Sequence, residues 1–369
     1  MNPSTLSVLY RILLACYFPF LLLLCVGMIG VVASMLSNGF FRPLAYLIGA
    51  LFGLTLIQVL GAARALAQQP PPDTFLELSL PRDLAPGLHQ LVGQIAFERK
   101  LRTPDEIRVG ADTVAHVYED NRGKDILVIG AMAVATFSQE ALAGVIAHEL
   151  AHFAAGDARL SRKGFRRALV MAYLDWYFSA RPATYLNPVV WLVRAYHYGY
   201  QLVWALHSRQ QEFAADRHDV ALVGKETAAA ALIHLAVTER LPWVRLSAIA
   251  KSYVASNQPI EQIFSEQAAR ANAVDGYEWH DALRKELDRK QGRFDSHPSL
   301  RRRLKAMGVS PKKALKLAMD LSGTPVTALF SDWRSIEREL TSRLIDLVRM
   351  DYAARMEMAQ IFAGRPLGR

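Results

Sequence analysis

The chain has 369 residues, of which 52% are hydrophobic and 21% are charged, and its formal net charge is +9. This composition is too apolar for an ordinary soluble protein, yet the charged residues suffice to cover a folded domain outside a membrane. The excess of Lys and Arg fits contact with anionic lipid head groups, whereas the lack of nucleic-acid motifs and of interleaved aromatic residues argues against nucleic acid as a partner.

Two long uncharged segments occupy the N-terminal region. Residues 12–36 and 43–63 contain no charged side chain, and each is long enough to cross a bilayer as a helix. The first is too long for a cleaved signal peptide, and only a short loop separates it from the second. The sequence therefore predicts a membrane anchor within residues 1–67, a two-helix hairpin placed in the inner (plasma) membrane if the cell is bacterial.

The charges that flank these segments predict the orientation. The loop between them offers only Arg42, whereas five basic residues follow the second segment, namely Arg64, Arg82, Arg99, Lys100 and Arg102. Because basic residues are retained on the cytoplasmic side, the N-terminus and the large C-terminal part are predicted to be cytoplasmic. The two cysteines, Cys16 and Cys25, both lie in the first segment, which fits a reducing compartment for the rest of the chain.

A Pro-rich linker at residues 68–74 leads into a domain predicted to span residues 75–310. Apolar residues at helical spacing indicate an amphipathic helix at its start: Leu88, Leu91, Val92 and Ile95. Three strands are predicted next, the last two as a hairpin, at residues 106–109, 113–118 and 125–130. The expected fold class is therefore α+β and mainly helical, with a small β-sheet.

The segment HELAH at residues 148–152 is the most informative motif of the chain. Because positions i and i+4 share one helix face, its two histidines can bind a single metal ion. Glu149 lies beside them without being a ligand, so it can take a proton from water at the metal. Ser138 is a suitable N-cap and Gly156 a suitable C-terminal stop for a helix around the motif. The alternative is a buried helix with two incidental histidines.

Residues 168–206 are apolar and aromatic, but Asp175, Arg194 and His197 interrupt them. A charged residue in mid-membrane costs about 2.5–3.5 kcal/mol on insertion scales, which disfavours a membrane-spanning hairpin. We predict an amphipathic helical hairpin that packs on the folded domain or rests at the membrane interface. A second pair of membrane helices is the alternative.

A pair of carboxylates downstream supplies a third metal ligand. Glu212 and Asp216 stand at i and i+4 of a predicted helix, so they repel each other unless a cation or hydrogen-bond donors lie between them. We predict that His148, His152 and Glu212 hold a catalytic zinc ion, and that Asp216 orients a ligand imidazole. The alternative is a solvated acidic helix face.

Together, HELAH and the segment SRQQEFAAD at residues 208–216 resemble the HtpX and CAAX prenyl protease family of integral-membrane zinc metallopeptidases. The resemblance covers about residues 75–310. It implies a gluzincin-type peptidase domain, one Zn²⁺ per chain, and a peptide or protein substrate, membrane proteins included.

A third segment, FDSHPSLRRRL at residues 294–304, is similar to the HP-containing segment of the same family. The resemblance implies that His297 and Arg303 stabilise the oxyanion of the tetrahedral intermediate, a role that suits hydrogen-bond donors and cations. For Arg303 the alternative is a solvated surface residue.

Metallopeptidases of this kind hold an extended substrate against an edge strand near the zinc helix. The predicted strand 125–130 directly precedes that helix. We therefore predict that the substrate binds along four of its residues, Leu127, Val128, Ile129 and Gly130. An ordinary buried strand is the alternative.

Residues 311–369 are predicted to form a helical extension without a recognised motif. Apolar residues at helical spacing indicate one amphipathic helix, which docks on the domain or on a partner: Ile336, Leu340, Leu344 and Leu347.

The predicted function is a membrane-anchored zinc endopeptidase that acts in quality control of membrane proteins, with Glu149 as general base. A non-proteolytic zinc-binding scaffold or chaperone-like module is one alternative, although structural zinc usually has four protein ligands. CAAX-type processing of lipidated peptides is another, although a two-helix anchor lacks the many-helix chamber of the prenyl proteases. A zinc enzyme for a non-peptide bond is the third. No motif indicates the oligomeric state.

Overall fold

The structure, a computed structural model, describes residues 3–38, 42–67, 75–111, 115–120, 122–154, 170, 171, 174, 188–238, 240, 241, 244–319 and 323–363. These residues form helices and one four-stranded sheet, which confirms the mainly helical α+β fold and the N-terminal pair of apolar helices. The predicted linker at 68–74, Gly156 and Asp175 lie outside the described residues.

The chain divides into two compact units. The first consists of Met1–Pro71, Arg159–Glu212 and Gly292–His297, and the second of Pro72–Ala158, Phe213–Gln291 and Pro298–Arg369.

The described elements follow one another in this order: α1 (Pro3–Ser37), α2 (Arg42–Ala67), β1 (Glu77–Ser79), α3 (Pro86–Arg99), β2 (Glu106–Gly110), β3 (Ala115–Glu119), β4 (Asp125–Gly130), α4 (Ala131–Thr136), α5 (Gln139–Ala154), α6 (Pro188–Thr238), α7 (Leu246–Ser256), α8 (Ile263–Asn272), α9 (Gly276–Asp288), α10 (Leu300–Met307), α11 (Pro311–Ala318), a 3₁₀ helix (Val326–Leu329) and α12 (Trp333–Ala363). The backbone at Gly224 is not helical, so α6 consists of two helices joined there. The boundary between the two units also falls within α6, between Glu212 and Phe213.

In the first unit, α1 packs against the N-terminal part of α6. Helix α1 buries one stripe of residues at helical spacing: Tyr10, Leu14, Tyr17, Leu21, Cys25 and Met28. The Tyr17 hydroxyl lies 3.1 Å from His197 Nε2, and the Tyr10 hydroxyl lies 3.5 Å from the Tyr200 hydroxyl. Because the later residue of α1 meets the earlier residue of α6, the two helices run antiparallel.

Two of the described helices are long and apolar enough to cross a membrane, one at Thr5–Ser37 and one at Val190–Thr238, and Arg42–Ile57 is a shorter apolar helix. In α6, residues 188–206 contain one charged side chain, Arg194, whereas charged side chains recur from Arg209 onward, so the first part is the more apolar one. Within the predicted hairpin at 168–206, this part is a single continuous helix.

The sheet of the second unit has the strand order β1-β2-β4-β3, with β2 and β4 parallel and the other pairs antiparallel. Strands β3 and β4 form the predicted hairpin, in which Ala115 lies opposite Ile129 and Glu119 opposite Asp125.

Strand β4 lies inside this sheet, between β2 and β3, and all its residues are buried. It therefore has no free edge to which an extended peptide could bind. This corrects the prediction that Leu127, Val128, Ile129 and Gly130 form a substrate-binding edge strand. The alternative, an ordinary buried strand, describes them.

The main core of the second unit lies between the sheet and its helices. Strand residues of one face, among them Ile107, Val109, Leu127 and Ile129, pack with buried residues of α3, α5 and α12. Strand residues alternate between faces, and the other face carries polar residues such as Arg108 beside the buried Ile126 and Val128. There Arg108 Nη1 donates to Glu77 and to the Tyr118 hydroxyl, both at 3.1 Å.

Candidate metal centre

Helix α5 presents the two histidines of the HELAH motif. Ser138 Oγ accepts a hydrogen bond from Ala141 N at 3.3 Å, which confirms the predicted N-cap. Leu142, Ile146 and Leu150 are fully buried in the core, and they fix the rotation of the helix. The imidazoles of His148 and His152 are only partly buried, with ring centroids 5.1 Å apart.

Helix α6 approaches α5 closely at Gly144, one turn before His148. A Cβ atom at Gly144 would lie 2.2 Å from Asp219 Oδ1 and 2.9 Å from Val223 Cγ2. Any larger residue at this position would force the helices apart or displace Asp219. The glycine therefore lets the acidic residues of α6 reach the histidine face of α5.

Three side chains converge as candidate metal ligands. His148, His152 and Glu212 each offer one ligand atom, and these atoms lie within 4.8 Å of one another. Two imidazole nitrogens and one carboxylate oxygen are the donor set of many catalytic zinc sites. The residues present therefore fit a zinc ion with an open fourth position.

Asp216 holds one of these candidate ligands. His148 Nδ1 lies 3.3 Å from Asp216 Oδ1, which leaves Nε2 of the same ring as the nitrogen available to a metal. Burial is the largest single influence and raises the pKa of the Asp216 carboxyl, but the hydrogen bonds and the electrostatic attraction of His148 and Arg303 together outweigh it. The net pKa is below the ordinary value, so Asp216 is an anion at neutral pH.

Arg303 contacts Asp216 with two nitrogens of its guanidinium. Arg303 Nε donates to Asp216 Oδ2 at 3.0 Å, and Arg303 Nη2 donates to Asp216 Oδ1. Both side chains are largely buried, with 14% and 4% exposure. This two-point contact differs from the predicted oxyanion role, because these two nitrogens are directed at a carboxylate of the protein.

His297 lies beside the third candidate ligand. Its Nδ1 is 3.2 Å from Glu212 Oε1, and 67% of its side chain is exposed. The segment before it is fixed by Arg209 of α6, whose Nη2 donates to the Arg293 carbonyl at 3.3 Å. A turn in which Gly292 N donates to Asp295 Oδ2 at 2.8 Å orders the same segment.

Residues 86–308 match the family described as Peptidase family M48. The chain belongs to peptidase family M48. The family is described as one of peptidases, and all the site residues from His148 to Arg303 lie within the matched range.

No curated protein is significantly similar to the chain. Among solved structures, a crystal structure of S. mikatae Ste24p is similar, with 14% sequence identity and a TM-score of 0.33. The match covers 83% of this chain and 66% of Ste24p, so the M48 chain spans slightly less than two thirds of that protein. A similarity this distant carries no conclusion about fold, activity or substrate.

One acidic residue beside this M48 site, Asp219, was not predicted from the sequence. Asp219 is 7% exposed, and its Oδ1 has no hydrogen-bond partner among the described residues. Burial raises its pKa to about 6. Its position three residues after Asp216 was the available signal, because residues at i and i+3 share a helix face.

Proposed function

We propose that this M48 protein is a membrane-anchored zinc endopeptidase with one Zn²⁺ held by His148, His152 and Glu212. The convergence of their three ligand atoms within 4.8 Å is the observation that carries the proposal. When bound there, zinc supplies Lewis acidity, which polarises a peptide carbonyl and makes water more acidic. Three protein ligands leave the open position that this chemistry needs, whereas a structural zinc usually has four.

Glu149 is the proposed general base. It follows His148 directly in α5, is partly exposed, and is not one of the converging ligands. Its carboxylate takes a proton from the attacking water and then gives that proton to the amide nitrogen of the leaving group as the C–N bond breaks. The products are a carboxylic acid and an amine, and Glu149 returns to its ionised state.

Asp216 and Arg303 act together through His148. The Asp216 carboxylate fixes the imidazole with Nδ1 as donor, so that Nε2 can bind the metal. Arg303 keeps this buried carboxylate charged and oriented. We therefore assign Arg303 as a positioning residue instead of an oxyanion ligand.

His297 is the proposed donor to the oxyanion. It is the exposed imidazole beside Glu212, and an exposed donor can reach a substrate carbonyl where negative charge develops.

The substrate strand is reassigned from β4 to β3. In the described part of the sheet, β3 is an edge strand that pairs with β4 alone, and it packs beside α5. We propose that an extended peptide adds to the outer edge of β3 through backbone hydrogen bonds. The other edge strand, β1, is partly covered, since Arg343 Nη1 donates to the carbonyls of Phe75 and Glu77 at 3.2 and 3.3 Å.

The anchor consists of α1 and α2, and the first part of α6 packs along α1. Helices α1 and α6 have the length and composition of membrane-spanning helices, and α2 contains a shorter apolar helix, Arg42–Ile57, which together support membrane association. By the distribution of basic residues, the peptidase part faces the cytoplasm. Misfolded membrane proteins are the proposed substrates, since the short anchor is suited to them rather than to CAAX-type processing.

The test compares detergent-purified wild type with Glu149→Gln and His148→Ala. We expect about one equivalent of zinc in the wild type and in Glu149→Gln, casein cleavage by the wild type alone, and loss of zinc from His148→Ala. Turnover by Glu149→Gln would remove the general-base role. Zinc in both proteins without cleavage of casein or of membrane proteins would favour the scaffold alternative.

A further inference from the structure

The second unit continues well past the end of the M48 match at residue 308. We call residues Gly323–Ile345 the strap; they comprise the 3₁₀ helix and the first part of α12. The proposed function assigns them no role. Their contacts nevertheless lead directly to the start of the proposed metal-binding helix.

The strap pairs with the first residues of α5. Gln139 N donates to the Thr324 carbonyl at 2.8 Å, and Ser138 forms an antiparallel bridge with Pro325. Gln139 Nε2 also donates to the Pro325 carbonyl at 3.1 Å. The first amides of a helix have no partner within the helix, so the Thr324 carbonyl satisfies one that would otherwise need water.

Gly323 sets how closely the strap approaches. Its φ of 148° is a conformation reserved for glycine, and a Cβ there would lie 2.9 Å from Ser138 Cβ. A side chain at this position would therefore displace the residue that caps α5.

Helix α12 holds the strap on the core. It buries five apolar residues against the sheet and its helices: Trp333, Ile336, Leu340, Leu344 and Ile345. The Glu337 carboxylate, at 1% exposure, accepts hydrogen bonds from Ser265 N at 2.7 Å and Ser265 Oγ at 2.8 Å. These contacts cap the start of α8 and make the strap part of the folded unit.

We propose that the strap positions the metal ligands His148 and His152 by fixing the N-terminal end of α5, an inference that rests on the proposed zinc site. The strap holds α5 at its N-terminal end, at Ser138, whereas α6 at Gly144 and the buried residues Leu142, Ile146 and Leu150 hold it further along. The contact at Ser138 therefore adds to the core contacts in setting the direction of the helix. Loss of the contact at Ser138 would shift His148 relative to Asp216 of α6.

The experiment compares Gly323→Ala with Gly123→Ala in the full-length protein. Both glycines have positive φ, but a Cβ at Gly123 would meet no atom within 4 Å, and this glycine lies in the exposed β3–β4 turn. Chelator competition measures the dissociation constants for zinc. The visible spectrum of the Co²⁺-substituted proteins reports the ligand geometry, and thermal midpoints of the metal-free proteins report folding. We expect Gly323→Ala to weaken zinc binding by about 5–30-fold and to alter the Co²⁺ spectrum, and Gly123→Ala to change neither.

Two further variants keep the proposal testable if Gly323→Ala does not fold. Ser138→Gly removes the Cβ that the new side chain would meet, so adding it to Gly323→Ala should restore zinc affinity toward that of Ser138→Gly alone. Gln139→Ala removes only the side-chain bond to Pro325, and a smaller loss of affinity is expected. Additive effects in the double variant would overturn the proposed role of the strap. Wild-type dissociation constants for zinc in both Gly323→Ala and Gln139→Ala would do the same. A wild type without zinc would instead overturn the metal site itself.

Discussion

Arg303 and Asp216 form an ion pair next to His148. Variants of Arg303 can therefore distinguish a positioning role from an oxyanion role. We expect Arg303→Gln to weaken zinc binding by about 10–100-fold, because Asp216 would lose the cation that holds it in place. Arg301→Gln is the matched control, since Arg301 lies on the same helix but is 63% exposed and pairs with Asp288. Chelator competition measures both zinc constants.

An oxyanion role for Arg303 would give a different result. Zinc affinity would then be unchanged in Arg303→Gln, while kcat would fall and a transition-state analogue would bind more weakly. Arg303→Lys discriminates further, because a lysine keeps the positive charge but cannot make the two-point contact with Asp216.

His234 makes stability depend on pH. Its Nδ1 lies 2.9 Å from the Ala318 carbonyl, and burial lowers the pKa of its imidazole below the ordinary value. In the range below about pH 6.5, the unfolded chain therefore binds this proton more readily than the folded chain. The contribution to stability is complete above that pH and is lost as the pH falls through it toward the folded-state pKa.

We accordingly expect the thermal midpoint in detergent to decrease between about pH 7.5 and 5.5, and His234→Leu to reduce that decrease. His280→Leu, the same substitution at an exposed position, is the matched control. Equal pH dependence in the wild type and His234→Leu would contradict the assignment.

At the residue scale, spacing along one helix predicts each pair of site residues, but it does not predict that Glu212 of α6 meets the histidines of α5. His148 with His152, and Glu212 with Asp216, are separated by one turn each, and a helix keeps such pairs on one face. The partner of Arg303 could not be predicted in this way, because Arg303 and Asp216 lie far apart in sequence and meet only through tertiary packing.

Among the secondary-structure elements, the crossing of α5 and α6 depends on Gly144. Gly144→Ala should lower the free energy of unfolding by about 1–3 kcal/mol, since its Cβ would overlap Asp219 Oδ1. Gly93→Ala in α3 is the control with the opposite sign, because no atom lies within 4 Å and alanine favours a helix by about 0.5–1 kcal/mol. Denaturant titration in detergent measures both. Equal effects of the two changes would show that the crossing tolerates a methyl group.

The strands also show where prediction from sequence ends. Alternation and turn residues located all three expected strands and the β3–β4 hairpin, because these are local properties. The position of β4 between β2 and β3 is not a local property. Strand β2 pairs with β4, although β3 lies between them in the sequence. An apolar strand that is buried on both faces has the same sequence pattern at the edge of a sheet as inside it. The prediction that β4 is a substrate-binding edge strand was therefore wrong.

For the molecule as a whole, anchoring by helices and attraction by charge predict different extraction behaviour. We expect the protein to remain in the membrane fraction after washes with high salt and with alkaline carbonate, and to be released by detergent, because α1 has the length and composition of a membrane-spanning helix. Release by salt alone would show that the net charge of +9 merely attracts the protein to anionic lipid.

The division of the chain into two units could not be predicted from the sequence. The predicted boundaries follow chain order, whereas the first unit combines N-terminal residues with Arg159–Glu212 and Gly292–His297. Such a combination depends on side-chain packing between distant segments, for example Tyr17 with His197, and no local pattern encodes it.

The proposed binding of substrate along the edge of β3 would determine which proteins are cleaved. Its five residues can pair with about 17 Å of extended chain, and a substrate must first release that length from its own fold. Cleavage would then follow the frequency of local opening in the substrate rather than a recognition sequence. Two proteins with identical cleavage sites would have different lifetimes, and a local destabilisation of about 1.4 kcal/mol would shorten the lifetime about tenfold.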